Sequence, residues 1–397
     1  MEYFISKKAK SISLSQTIAM DIKFKKMKKE GLKVISFGAG EPDFGTLNNI
    51  KKAAIYAINN EITKYTEVSG MLPLKEAICK KFLENNLIYN TSNIVVSSGA
   101  KHSLMNVFIA ICDNTDEVII PAPYWVSYPE MIKISGGVPV IVQTNKSNNF
   151  KITSEQFEKN ITSKTKAIIL NTPCNPTGSV YNKDELKKIA EIAVDKNILV
   201  ISDEVYEKFT YNCKHESIAS LNNKIKKLTV VINGVSKTYA MTGWRIGYSA
   251  STYEIAKNIS NIQSHMTSNP NSIAQYASIE ALSGNQDAII DMSNEYKKRM
   301  EYMVEKINSI KDLSCIKPHG AFYVFVNIKK LLGKNYYGKN INTSYELCEN
   351  ILEKALVSII PGNGFGAPDY ARFSFATDMQ SIIQGLNRIE EYINGRL

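Results

Sequence analysis

Leu228-Thr229-Val230-Val231-Ile232-Asn233 is an unbroken run of apolar and β-branched residues, and it leads straight into Gly234-Val235-Ser236-Lys237-Thr238-Tyr239-Ala240-Met241-Thr242-Gly243-Trp244-Arg245. A short run without polar alternation reads as a strand buried on both faces. The pattern recurs over residues 93–97, 117–120, 138–142, 165–170 and 198–202. Between the runs lie longer amphipathic patterns, such as residues 101–112 and 183–196, with helical spacing. Strands alternating with helices imply the α/β class, with a mainly parallel sheet between helical layers. The last third changes character. A polar helical pattern over residues 291–309 leads into apolar runs over 321–328 and 357–375, a smaller α+β unit joined by the residues before about Phe44.

The bulk composition narrows the function. With 397 residues, 44% of them hydrophobic and 22% charged, the chain is long enough for two units with substantial cores. Its net charge of +10 raises the question of nucleic acid. Runs such as Lys23 to Lys29 are scattered over polar helix faces, however, and none interleaves with aromatics as a single-strand platform would. The six cysteines form no C-x-x-C pair, so no metal site is expected, and reduced thiols are the default. The N-terminus has no continuous apolar segment of the signal-peptide kind, and no stretch reaches the ~18 apolar residues of a membrane span. A cytoplasmic location is the expectation.

Open parallel sheets bind ligands beyond the carboxyl ends of their strands, so the residues that follow each run matter most. After 93–97 comes Ser98-Gly99-Ala100-Lys101, where small residues at a helix start expose N–H groups to an anion, or simply make a turn. After 198–202 comes Asp203-Glu204-Val205-Tyr206. The acid is either a helix cap or a functional charge that keeps a pyridine nitrogen protonated. After 165–170 comes Asn171-Thr172-Pro173-Cys174-Asn175-Pro176, a rigid loop in which Asn175 is either a turn residue or a donor to a ring oxygen. Lys237 stands between a buried strand and an apolar, glycine-punctuated stretch. An amine desolvated there has a lowered pKa and becomes nucleophilic towards a carbonyl. Ser236 and Arg245 are placed to reach a phosphate.

From Gly38-Ala39-Gly40-Glu41-Pro42-Asp43-Phe44 through Ser236-Lys237-Thr238-Tyr239-Ala240-Met241-Thr242-Gly243-Trp244-Arg245 to Ala371-Arg372-Phe373-Ser374, the chain resembles the class I aminotransferases of the bacterial aspartate aminotransferase type, which are fold-type I pyridoxal-phosphate enzymes. The resemblance implies a large cofactor domain over residues 45–285 with a mainly parallel seven-stranded sheet, and a small domain over 1–44 and 286–397 with an N-terminal lid. It implies pyridoxal 5'-phosphate as cofactor, held by Lys237 as a Schiff base. Asp203 would pair with the pyridinium nitrogen, Asn175 and Tyr206 would bond the ring oxygen, and Trp125, by residue pattern alone a core residue, would stack on the ring. Gly99, Ala100, Ser236 and Arg245 would surround the phosphate, with Lys101 adjoining them. Tyr65 would reach the phosphate of the neighbouring subunit in a homodimer.

The resemblance further assigns Arg372 to the substrate α-carboxylate, with the Gly40 backbone nearby and Trp125 and Asn175 alongside. Lys101, Ser15 and Thr17 match the positions that meet a distal carboxylate in relatives favouring aspartate and glutamate. The implied reaction is ping-pong transfer of an amino group from a small dicarboxylic amino acid to a 2-oxo acid, with Lys237 moving the proton, and with no nucleic acid or membrane partner. An aromatic, kynurenine-type or broad-range aminotransferase keeps the same chemistry with another substrate. A lyase would use the same cofactor for elimination.

Overall fold

Strands that are apolar on both faces need cover on both, and the sequence supplies it. The computed structural model describes residues 4–12 and 16–397. Seven strands form the central sheet: β1 (Ile94–Ser97), β2 (Glu117–Ala122), β3 (Val138–Gln143), β4 (Thr165–Asn171), β5 (Leu199–Asp203), β6 (Thr229–Gly234) and β7 (Gly247–Ala250). Their spatial order is β1-β7-β6-β5-β4-β2-β3. All neighbours run parallel except at β7, which is antiparallel to both β1 and β6. Strand β7, Gly-Tyr-Ser-Ala, lacks the β-branched signature and is the strand that periodicity alone does not reveal.

Alternation along each strand divides the core. In β4, Ala167 and Ile169 face helices α1 (Ala100–Ile111) and α3 (Tyr253–Met266), while Ile168 and Leu170 face α2 (Lys183–Asp195). In β6, Val230, Val231 and Ile232 have no exposed surface. Full burial of each such side chain stabilises the fold by about 1.5–3 kcal/mol, so the sheet can hold unusual backbone at its loops. Helix α2 begins with a capping box, in which the Asn182 side chain accepts from the Glu185 N–H at 2.9 Å and Glu185 accepts from the Asn182 N–H at 2.9 Å.

A second, antiparallel sheet contains β8 (Ser314–Cys315), β9 (Tyr323–Asn327), β10 (Ile360–Pro361) and β11 (Tyr370–Ser374) in the order β10-β11-β9-β8. It shares a core with α5 (Asp287–Ser309), which follows α4 (Ser272–Ser283), and with the helix Met379–Ile393. The early residues join this unit. Ile35 and Ser36 pair with Val357 and Ser358, Phe37 stacks on Phe373 at 6.0 Å, and Asp43 pairs with the buried Arg299 at 2.8 Å.

Gly247 opens β7 where the backbone of Gly99 and Ala100 crosses it, and an added Cβ would lie 2.1 Å from the Ala100 nitrogen. Gly247→Ala is expected to cost about 2–4 kcal/mol in urea denaturation; a change below 0.5 kcal/mol, roughly what a neutral surface site shows, would contradict the close approach.

Candidate active site

The carboxyl ends of β1, β4, β5 and β6 open on one cavity of ≈ 360 Å³. Its lining includes Ala100, Lys101, Trp125, Asn175, Asp203, Tyr206, Ser236, Lys237, Arg245, Arg372 and Gly40, so residues spread over most of the chain meet in one place.

Lys237 leaves the end of β6 and is only part-exposed, open to the cavity rather than to bulk water. Burial pulls its pKa down from 10.5 to about 8; Glu41 opposes that shift, while the positive charges of Arg372 and Arg245 reinforce it. The amine donates to the Gly40 carbonyl. Asp203 ends the adjacent strand β5. Burial raises its pKa from 3.8 to about 6 against the pull of two donors, the Tyr128 hydroxyl at 2.6 Å and the Val205 N–H at 3.4 Å. Tyr206 is buried, and burial, with the Tyr323 hydroxyl 3.0 Å from its own, holds its pKa far above the ordinary tyrosine value.

Arg372 reaches the cavity from β11 in the second sheet. Its Nη1 donates to Asn175 Oδ1 at 3.0 Å and its Nη2 to the Gly38 carbonyl at 3.0 Å, while its plane covers the Tyr323 ring at 4.3 Å. Nε of Arg372 is buried without a partner. Because Asn175 presents its oxygen to Arg372, its NH₂ group remains the free end. Gly40 lines the same cavity as Arg372, with its carbonyl accepting from Lys237, while the Gly38 carbonyl accepts from the arginine.

At the opposite wall, Arg245 sits in the left-handed region at φ 57° and donates to the Thr242 carbonyl at 2.9 Å and the Ser98 carbonyl at 3.4 Å. A Cβ on Gly99 would lie 2.2 Å from its Nη2, so glycine is what lets the guanidinium close over the start of α1. Free N–H groups, a helix N-terminus and a cation there suit a phosphate. Lys101, in the first turn of α1, is exposed at the cavity mouth with its amine 4.9 Å from the centre of the Trp125 ring. Partial burial and the like charge of Arg245 lower its pKa. Trp125 meets Tyr128 edge-on at 5.3 Å.

Tyr65 is expected at the neighbouring subunit's phosphate rather than in its own cavity. Tyr65 is 90% exposed and lines a different depression with Lys64, Thr66 and Met71, so one chain does not bring it to the cavity. Ser15 and the side chain of Thr17 lie outside the described residues. Tyr128, Tyr323, Asn171, Thr242 and Phe365 also line the cavity without having been singled out from sequence. Tyr128 stands in the aromatic segment that carries Trp125, the one local signal available.

Behind Asp203 lies a separate buried group, Glu204, Glu207 and His215, whose ligand atoms fall within 4.8 Å of one another. Lys81 already pairs with Glu207, and Glu204 accepts from Ser202 and Ser217 at 2.7 Å each, with His215 Nε2 at 3.1 Å. Protein charges and donors thus occupy the place a metal ion would take.

The family model for aminotransferase class I and II matches residues 33–389. An aspartate aminotransferase of Bacillus sp. (strain YM-2) is 44% identical over 395 residues, covering 99% of this chain and 100% of that protein. The chain belongs to the class I and II aminotransferases. Among solved structures, the aspartate aminotransferase of Rhizobium meliloti aligns with a TM-score of 0.94 at 38% identity, covering 98% of both chains. That of Thermus thermophilus with maleate aligns at 0.92 and 35% identity, covering 98% of this chain and 99% of that one. The chain is therefore an aminotransferase that works with pyridoxal phosphate, in the fold-type I architecture. The cavity fits that group: a desolvated amine and a buried carboxylate face it, Gly99 clears space under Arg245, and Arg372 keeps an orphaned donor.

Tyr128→Phe removes the 2.6 Å donor that favours the charged form of Asp203. The Asp203 pKa is expected to climb above its value of about 6, which carboxyl ¹³C NMR titration of cofactor-free protein reads directly; an unchanged or lower value would contradict the role given to that hydrogen bond.

Proposed function

We propose that this aminotransferase takes its amino group from a small dicarboxylic amino acid, aspartate or glutamate, and passes it to 2-oxoglutarate or oxaloacetate. The observation that carries the reading is the meeting of two carboxylate-binding cations, Arg372 and Lys101, around one cavity that also holds Lys237 and Asp203. Maleate, present in the Thermus thermophilus relative, is a four-carbon dicarboxylate and agrees with it.

When bound, pyridoxal phosphate supplies an aldehyde that bonds amines and a protonated ring that draws off the electron pair left at Cα. Lys237 would hold that aldehyde in the resting site and, displaced by the substrate amine, would take the Cα proton with its free ε-amine and hand it on across the imine nitrogen, a general base whose pKa of about 8 suits neutral pH. Asp203, charged above about pH 6, keeps the ring nitrogen protonated. The free NH₂ of Asn175 and the Tyr206 hydroxyl bond the ring oxygen, and Trp125 covers the ring face. Ser236, Arg245, Gly99 and the Ala100 N–H at the start of α1 surround the phosphate. Arg372 forks onto the α-carboxylate with Nε and Nη groups, and Lys101 meets the distal one from above Trp125. A distal carboxylate gives the Lys101 amine at the cavity mouth a partner that an apolar side chain does not, which turns Lys101 into a selector.

The division at 45–285 against 1–44 and 286–397 gives Arg372 and Lys237 to different units, so closure of one upon the other would exclude water from the reacting carbon. Ser15 and Thr17 would complete the distal pocket from the N-terminal lid. A homodimer is part of the reading. Tyr56, Tyr65 and Leu72 are each about half exposed or more and line two depressions that share Met71 and Pro73, and a partner covering them would receive Tyr65 at its phosphate. The cytoplasm is the proposed location, supported by six free cysteines and the lack, among the described residues, of any helix long and apolar enough to cross a membrane.

Steady-state assays with aspartate, glutamate, alanine and phenylalanine as donors should show ping-pong kinetics and the highest kcat/KM for the dicarboxylic pair. Lys101→Met should lower kcat/KM for aspartate by roughly 10²-fold and leave alanine within about threefold. Equal or better rates with phenylalanine would overturn the substrate class. Lys237→Ala should abolish turnover with every donor. Cofactor affinity should fall as pH drops through about 6, where Asp203 takes up a proton and loses the charge that holds the ring nitrogen.

A further inference from the structure

The irregular segment from Lys64 to Gly70 joins the helices Asn48–Asn59 and Leu72–Phe82 and carries the exposed Tyr65. An exposed connection of this kind is ordinarily mobile. Here it is pinned from beneath by two glutamines with no exposed surface. Gln275, on α4, accepts from the Met71 N–H at 2.8 Å and donates to Thr66 Oγ1 at 3.1 Å and the Pro270 carbonyl at 2.9 Å. Gln263, on α3, donates to the Val68 carbonyl at 2.7 Å and the Val96 carbonyl at 2.8 Å. Its oxygen accepts from Ser97 Oγ at 2.6 Å and Asn106 Nδ2 at 3.0 Å. Both N–H bonds and both lone pairs of Gln263 are thus used, which only an amide can do. The segment also lies directly on β1: the Val96 N–H donates to the Ser69 carbonyl at 2.9 Å, and a Cβ on Gly70, at φ +105°, would come within 2.5 Å of the Val96 side chain.

Strand β1 is the one that runs into the Ser98-Gly99-Ala100 turn. One buried amide, Gln263, therefore fastens two things at once, this subunit's own phosphate turn and the arm that presents Tyr65. The second, Gln275, fastens the arm alone. We infer that Gln263 and Gln275 are positioning residues for cofactor binding in the dimer, with Gln275 acting only on the partner's site and Gln263 acting on both. The inference rests on the reading above that Tyr65 meets the phosphate held by the partner.

Mixed dimers separate the two directions. One subunit carries Lys237→Ala, so cofactor fixed by borohydride on Lys237 reports only the site of the other subunit. Gln275→Met on the Lys237→Ala subunit loosens the arm that serves the reporting site, and cofactor affinity there should fall roughly three- to tenfold, the weakening of the one hydrogen bond Tyr65 would give the phosphate. The same change on the subunit that keeps Lys237 should leave affinity at the reference value, whereas a merely structural role would weaken it too. Gln263→Met should weaken the reporting site in either placement. Loss of affinity with Gln275→Met in both placements, or in neither, overturns the inference. Gln275→Glu, which keeps the acceptor for Met71 and loses the donor to Thr66, is carried through the same placements in case the methionine variant does not assemble. Tyr65→Phe on the Lys237→Ala subunit is the control. If it weakens the reporting site while the Gln275 variants do not, the inference alone fails; if it has no effect, the reading of Tyr65 fails and takes the inference with it.

Discussion

The site depends on keeping one amine out of water, with burial outweighing the pull of Glu41 and Asp203 on Lys237. Lys237 emerges from β6 and Asp203 from β5, neighbouring parallel strands in which Asp203 is paired with Ile232. Desolvation moves the two groups in opposite senses, the lysine from 10.5 down to about 8 and the acid from 3.8 up to about 6. At pH 7 a pKa of about 8 leaves roughly one amine in ten neutral, against roughly three in ten thousand at the unperturbed value. That gain of a few hundredfold in reactive amine is what the buried sheet supplies. The carboxylate meanwhile stays mostly ionised, because Tyr128 and the Val205 N–H offset part of its burial. Both groups are tuned by their surroundings more than by each other, so each is left available to a ring placed between them.

The second sheet contributes the opposite kind of group, a cation that never titrates. Arg372 is held flat by Tyr323 and tied to Asn175 and to the Gly38 carbonyl, so its orientation is set before any carboxylate arrives. The segment from Gly38 to Thr46 bonds to residues of both sheets' surroundings. It offers carbonyls to Arg372 and Lys237, accepts at Glu41 from Thr242 at 2.6 Å, and anchors Asp43 on Arg299. The same short segment thus touches both cations of the cavity, so the positions of Arg372 and Lys237 are tied to one stretch of backbone.

Much of this was legible along the chain. Six of the seven central strands are continuous apolar runs, and their ends carry Gly99, Asn175, Asp203 and Lys237 at the places where an open α/β sheet gathers its ligands. What stayed hidden is long-range. Tyr128 bonds an acid 75 residues away, and Tyr206 meets a hydroxyl 117 residues away in another sheet; neither has a local periodicity that announces it. Strand β7 is short and rich in small residues because the backbone of the Gly99 turn crosses it, which suppresses the very signature by which strands are read. Tyr65 carries no meaning within one subunit, and the charges of Glu204, Glu207, Lys81 and His215 look like surface residues until the fold buries them together.

The pKa of the Lys237 amine in cofactor-free protein tests the central claim most directly. Competitive acylation across a pH series, with the peptide containing Lys237 quantified by mass spectrometry, is expected to give a midpoint near 8. A midpoint near 10.5 would mean that the amine is hydrated like any surface lysine, and would contradict the desolvated site on which the chemistry rests.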